Sequence, residues 1–278
     1  MLKDVVVNLS GRGPQDFAAE YAASIAGAFG ARITGISFLY EPIIPDGTLG
    51  GVPVDLIELQ REENSKVARD AISRFETAVK KAGVAGETRM LDATFGGAPT
   101  LFAQIARRFD LAVVGQAQRD QGATDTLMIE GALFESGRPL VVVPYIQKRG
   151  LTLERVLACW DGGRTAARAI GDAMPFLERA KAVDLVMVAE ERKDNDDEQS
   201  IGARMSEHLA RHGVKTTIKR MAKGDIAIED VILSYAADSG ADFMVMGGYG
   251  HSRLREFILG GVTRGILAEM TVPVLMSH

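Results

Sequence analysis

The sequence predicts an α/β protein of two tandem doubly wound domains, residues 1–146 and 151–278. Each is expected to be a five-stranded, mostly parallel sheet with helices on both faces. Three observations predict this. Short β-branched or wholly apolar runs alternate with longer amphipathic stretches, and continuous apolar strands between helices mark a parallel sheet covered on both faces. The order of elements then repeats, with matching residues. Asp110-Leu-Ala-Val-Val-Gly115 pairs with Asp242-Phe-Met-Val-Met-Gly247, Pro139-Leu-Val-Val-Val with Pro273-Val-Leu-Met, and Ala82-Gly83-Val84 with His212-Gly213-Val214. Finally, 278 residues suit two domains of roughly 150 residues, and the period is too long for a solenoid.

Val5 to Val7 is a buried-strand run. Pro14 to Phe29 carries Phe17, Ala18, Tyr21, Ala22, Ile25 and Phe29 at helical spacing, closed by Gly30. Ile33 to Phe38 is strand. Glu41 to Pro53 is rich in Pro and Gly and reads as a long loop. Leu56 to Lys81 is a long helix stopped by Gly83, Glu87 to Leu91 a strand, and Pro99 to Arg108 a helix with proline in its first turn. Leu111 to Gly115 and Leu140 to Val143 are apolar strands. In the second half Val156 to Trp160 is strand and Thr165 to Arg179 helix. Val183 to Ala189 is strand, and the acidic run Glu190 to Gln199 a solvated segment. Ile201 to His212 is helix, Thr216 to Met221 strand, Ile226 to Ser239 helix and Phe243 to Gly247 strand. Ile266 to Met270 ends a helix, and Val274 to Met276 is the last strand.

Composition narrows the function classes. The net charge is −5 and the pI about 5.5, so bulk electrostatics draw the chain neither to nucleic acid nor to anionic membrane. Hydrophobic residues at 46% and charged residues at 25% describe a globular chain with a packed core. No run approaches the ~20 apolar residues of a membrane span, and Val5 to Val7 is too short for a signal segment. The single cysteine, Cys159, allows no intramolecular disulfide and fits a reducing compartment. A cytoplasmic protein is expected.

In an open parallel sheet the ligand lies at the carboxyl ends of the strands, where strand order reverses. Two strand ends of the second half carry unusual residues. One is Cys159-Trp160-Asp161-Gly162-Gly163. The other is Met246-Gly247-Gly248-Tyr249-Gly250-His251-Ser252, followed ten residues after Gly250 by Gly260-Gly261-Val262-Thr263. Glycines admit a phosphate close to backbone N–H groups, and a helix beginning after Gly261 favours an anion at its N-terminus. Tight turns use glycine pairs too. A P-loop is excluded because Gly265 is followed by Ile266 rather than lysine. A dinucleotide fingerprint is excluded because Arg253 stands where its third glycine belongs.

The spacing Gly247-x2-Gly250-x9-Gly260 resembles the nucleotide-binding signature of the universal stress protein family, Gly-x2-Gly-x9-Gly-Ser/Thr. Gly224-Asp225, the strand from Ala241 to Gly247, and Val272-Pro273-Val274-Leu275 agree with it in order. Both halves are covered, so the chain resembles a tandem, two-domain member. The resemblance implies an adenine-nucleotide alpha-hydrolase-like fold and a stress-response regulatory role. It also implies binding of ATP or a related adenine nucleotide, with or without magnesium. By the same resemblance Asp161, with Cys159 and Trp160, would line the adenine-ribose side. Val188 would touch the adenine, and Met246 and Gly247 would border base and ribose. Gly250, Gly260, Gly261 and Val262 would hold the phosphates, with His251 facing them. The signature's final Ser/Thr is Gly261 here, and Thr263 is the candidate replacement.

The first half departs further. Ser10 stands for Asp161, Gln116 to Asp120 lack the glycine, and Thr126-Leu127 replace the Gly260 pair. Gln118 and Leu127 would occupy phosphate space, so this half is expected to have lost the nucleotide site and to serve packing. No nucleophile, base and orienter set is found, and no metal site is expected. His208 and His212 lie one turn apart without a completing carboxylate. At most slow ATP hydrolysis is anticipated. The alternative reading is an interaction or scaffold protein of the same fold that binds no nucleotide. The apolar last strands, Leu140 to Val143 and Val274 to Met276, would aggregate as free edges. They are expected to join the two sheets as a pseudo-dimer, and the same logic suggests a homodimer of whole chains. Protein partners are unspecified.

Overall fold

A computed structural model describes residues 1–11, 13, 15–42, 53–118, 123–189, 196–249 and 261–278. The N-terminal half runs β1 (Asp4–Asn8), α1 (Phe17–Phe29), β2 (Arg32–Tyr40), α2 (Val54–Ala82), β3 (Gly86–Ala93), α3 (Ala98–Ala106), β4 (Leu111–Gly115), α4 (Ala123–Glu135) and β5 (Leu140–Val143). The C-terminal half runs β6 (Val156–Cys159), α5 (Arg164–Asp172), α6 (Met174–Leu177), β7 (Val183–Ala189), α7 (Asp196–Arg211), β8 (Thr216–Ala222), α8 (Ile228–Ser239), β9 (Phe243–Gly247), α9 (Gly261–Glu269) and β10 (Val274–Ser277).

The strands form one ten-stranded sheet in the order β3-β2-β1-β4-β5-β10-β9-β6-β7-β8. Each half contributes its expected five strands as one contiguous set. The expected last-strand pairing is what fuses them. Val142 faces Val274, Val141 faces Leu275 and Leu140 faces Met276 in antiparallel register, so the hydrogen-bond ladder crosses the middle of the chain. Every other pairing is parallel. The seam satisfies both apolar edges inside one chain, which removes the edge argument for a homodimer of whole chains.

Local chemistry sets the helix ends. Gly30, Gly83 and Gly240 take left-handed φ values of 62°, 66° and 67° and close α1, α2 and α8. The single helix expected from Thr165 to Arg179 breaks into α5 and α6 at Ala173. Pro175 lacks the N–H that a continuous helix needs there. Helix α4 was missing from the expected elements. The Pro/Gly-rich loop at 43–52 and most of the acidic run, 190–195, lie outside the described residues.

Two apolar layers cover the sheet. One holds Val5, Val7, Val156, Ala158, Leu185 and Val245 with α1, α5 and α6. The other holds Val6, Leu157, Val186, Met244 and Met246 with α3, α4, α8 and α9. The matched aspartates explain part of the repeat. Asp110 Oδ2 accepts from the N–H groups of Lys3 and Asp4 at 2.7 and 3.0 Å. Asp242 accepts from Glu154 and Arg155 at 2.9 and 3.2 Å. Each carboxylate ties the strand it precedes to the start of its half's first strand.

Candidate functional site

Strand order reverses twice, between β1 and β4 and between β6 and β9. At each place the flanking helices leave to opposite sides of the sheet and open a crevice at the strands' carboxyl ends. In the C-terminal crevice, strand alternation sorts the candidate residues. Cys159, Val188 and Met246 belong to the layer of α8 and α9, together with Val262 and Tyr249. Trp160 packs in the opposite layer, with its buried Nε1 unpartnered. The structure therefore puts Cys159, Val188, Met246 and Val262 in one layer and Trp160 in the other.

Asp161 is exposed. Its Oδ1 accepts from the Gly163 N–H at 2.7 Å, folding the turn so that Gly163 caps α5 with no side-chain bond to the helix. Gly247 lies against that helix. A Cβ there would stand 2.5 Å from Ala166 N and 2.6 Å from Thr165 Oγ1, so close packing of β9 on α5 demands glycine. Among the described residues nothing lies within 4 Å of where a Gly261 Cβ would stand. Thr263 is buried, and its Oγ1 accepts from the Tyr249 N–H at 3.2 Å, tying the end of β9 to the first turn of α9. Tyr249 holds a left-handed φ of 56°. Gly250, His251 and Gly260 lie outside the described residues.

Burial first, and the Asp161 carboxylate second, push the Cys159 thiol up to about 12. It is a neutral packing group rather than a nucleophile. Among the described residues no group of three His, Cys, Asp or Glu side chains could hold a metal, and His208 and His212 simply pack ring edge to face at 4.9 Å. Cys159, Val188 and Met246 give this crevice an apolar wall, and the Asp161 carboxylate holds the N-cap of α5 beside it.

The N-terminal crevice is not filled. A cavity of about 420 Å³ opens there, lined by Asn8, Ser10, Gln118 and Thr124 among others. Gln118, expected to occupy phosphate space, stands on the wall of this crevice. Gln116, its neighbour, is buried, and its Nε2 donates to Leu267 O and Ala268 O at 2.9 and 3.3 Å. That side chain clamps the two halves at the end of α9 rather than closing the crevice. Sequence reasoning missed Asn8, the residue at the same strand end as Cys159; the shared register of Val5 with Leu111 and Val156 with Phe243 was the available signal.

The fold defines a doubly wound α/β protein with a tandem internal repeat and a crevice at each point of strand reversal. Residues 152–278 match the model of the universal stress protein family. A universal stress protein of Synechocystis sp. is 24% identical over 230 residues, 80% of this chain and 76% of its own. The crystal structure of a universal stress protein from Archaeoglobus fulgidus covers 99% of this chain and 97% of its own, with TM-score 0.73 and 16% identity. A second, from Pseudomonas aeruginosa, covers 99% and 93%, with TM-score 0.64 and 15% identity. These two likenesses are of fold, and they run through both halves. Another Archaeoglobus fulgidus member was solved in complex with dAMP; it covers 51% of this chain and 98% of its own, with TM-score 0.36 and 16% identity. No helix among the described residues is long and apolar enough to cross a membrane.

Proposed function

We propose that this chain is a stress-response regulatory protein that binds one ATP, or a related adenine nucleotide, in the unit formed by residues 151–278. The unit formed by residues 1–146 carries no nucleotide. The observation that supports this reading most is the spacing Gly247-x2-Gly250-x9-Gly260 joined to the β6–β9 crevice, with the start of α5 beside it. Asp161, Cys159, Val188, Met246 and Gly247 would face adenosine, and Gly250, His251, Gly260, Gly261 and Val262 the phosphates. Thr263 would act by fixing the loop. Magnesium would enter with the nucleotide, and the protein would be cytoplasmic. A homodimer would have to use a surface other than β5 and β10.

Calorimetric titration with ATP tests the reading. One site per chain is expected, and Gly260→Trp should abolish it by filling phosphate space. A second reading, a scaffold of the same fold without nucleotide, is favoured by Gly261 in place of the signature hydroxyl. An absence of heat at millimolar ATP would decide for it.

A further inference from the structure

The chain just beyond β9 is held from both halves of the molecule. Within its own half, the Gly248 N–H donates to Ser277 O at 2.9 Å. His278 Nδ1 lies 3.2 Å from Gly248 O, a carbonyl that can only accept. The Tyr249 N–H donates to Thr263 Oγ1 at 3.2 Å. The remaining holds come from α4, in the N-terminal half. A Cβ at Gly248 would stand 2.9 Å from Leu133 Cδ2, so the chain leaves β9 in close contact with that helix. The Phe134 ring lies against Tyr249 with centroids 4.6 Å apart and meets His278 edge-on at 4.9 Å. Burial first, and the Glu130 carboxylate second, push the Tyr249 phenol above its usual range, which puts Glu130, one turn before Phe134, at the same contact.

Tyr249 needs such support. Among the described residues it is the one non-glycine with a left-handed φ, 56°, and a conformation of that kind persists only where its surroundings fix it. Its hydroxyl is buried with no hydrogen-bond partner, so packing holds the ring in place of a polar bond. The matching place in the other half shows the alternative. Gln116 anchors itself, sending its own side chain to Leu267 O and Ala268 O of α9. Gly248 has no side chain to send, and α4 supplies the contact instead.

We infer that the N-terminal half is a working part of the C-terminal site: Phe134 is a positioning residue that fixes Gly248 and Tyr249, and with them the start of the signature's glycine loop. That this loop meets phosphates rests on the nucleotide reading above; the hold of α4 on Tyr249 does not. Such a coupling is reciprocal, so a nucleotide that prefers the fixed arrangement also steadies α4.

The test compares the full chain with Phe134→Ala and Phe134→Tyr. Phe134 is half-exposed, so its truncation leaves the core intact and circular dichroism native. Calorimetric titration with ATP should show about tenfold weaker binding to Phe134→Ala, within the range of couplings between sites. Adenosine, which lacks phosphates, should bind as it does to the parent. Phe134→Tyr keeps the ring and should restore the ATP affinity. Without nucleotide, amide exchange followed by NMR should be faster in Phe134→Ala at Gly248 and Tyr249, and unchanged at Met244 and Val245 inside β9. Equal losses for ATP and adenosine would mean general loosening and overturn the inference. So would parent-like ATP affinity in Phe134→Ala, or unchanged exchange at Tyr249. A parent that binds no ATP removes the nucleotide reading alone, and faster exchange at Tyr249 then still upholds the positioning by α4.

Discussion

The first strand of each half runs into a helix, and the two turns are finished in opposite ways. After β1, the buried Asp16 carboxylate caps α1 and also holds the Ser10 N–H. After β6, Asp161 folds back onto Gly163, the N-cap of α5, which has no side chain of its own to cap with. The fourth strands differ in the same way. Gln116 and Gly248 each donate their N–H to the last residue of the neighbouring strand, Val143 at 2.8 Å and Ser277 at 2.9 Å. Gln116 then sends its side chain across the seam to α9. A Cβ at Gly248 would stand 2.9 Å from Leu133 Cδ2 of α4. The repeat keeps the backbone plan of each half and spends its differences on the groups that face the crevices and the seam.

The sharpest test of that statement is the glycine that both halves share. Gly115 and Gly247 end β4 and β9. At Gly247 a Cβ would meet backbone atoms, Ala166 N at 2.5 Å and the Thr165 carbonyl carbon at 2.6 Å. At Gly115 the nearest atom is the Ala18 Cβ at 3.9 Å. Gly247→Ala should destabilise by about 3 kcal/mol, since backbone cannot step aside as a side chain can. Gly115→Ala should be neutral or stabilise by about 0.5 kcal/mol through the unfolded chain. Urea denaturation of the two variants reads the difference directly. Equal effects would show that the two glycines serve one purpose.

The next effect sits on the second strands. Leu157 faces Asp184 where Val6 faces Thr34. Asp184 is buried, and its Oδ2 accepts from Arg155 Nη1 at 2.9 Å and from the Tyr235 hydroxyl at 3.0 Å. Arg155→Ala leaves a buried carboxylate with one neutral donor. The full penalty for such a loss is about 3–5 kcal/mol. With the guanidinium 38% exposed, water screens part of it, and about 2 kcal/mol is expected. Thr34→Val in the other half removes one long hydrogen bond of 3.3 Å to Glu87 and should cost under about 1 kcal/mol.

The symmetric aspartates should give equal, smaller effects. Asp110→Ala and Asp242→Ala each release two backbone N–H groups, and each should cost about 1–2 kcal/mol. The sites lie in different halves, so the double variant should show the sum within about 0.5 kcal/mol. A clear departure from additivity would mean that the ten-stranded sheet couples the two halves more tightly than its seam suggests.

How much of this was legible follows from which forces act locally. Val183 to Ala189 and Phe243 to Gly247 were readable to the residue, because strands buried on both faces are apolar runs, broken in the first only by Asp184. Helix α4 was not, since Thr124 to Glu135 lacks a clean apolar period and holds Gly131. That glycine answers to packing: a Cβ there would lie 3.0 Å from Pro99. The split of α5 from α6 was legible in Pro175 and was missed. So was the separation of Trp160 from Cys159, because neighbours on a strand point to opposite faces. The N-terminal cavity was not legible, since a void depends on where four elements stop relative to one another.

The smallest expected effect compares the last residues of β1 and β6, Asn8 and Cys159. The folded state holds the Cys159 thiol proton up to about 12, against 9.0 for a free thiol. Between those values the unfolded chain has lost the proton and the folded chain keeps it, so the unfolded state binds fewer protons. Stability then falls as pH rises from about 9 towards 12 and is fully present below 9. Cys159→Ala should flatten that part of the stability curve, leaving the lysine and tyrosine contributions unchanged. The parent should also react slowly with iodoacetamide at pH 8, and fast once urea opens the chain, because only the thiolate attacks. With one cysteine in the sequence, the labelled mass reports that residue alone. Rapid native labelling at pH 8 would show that the folded chain does not hold the thiol proton.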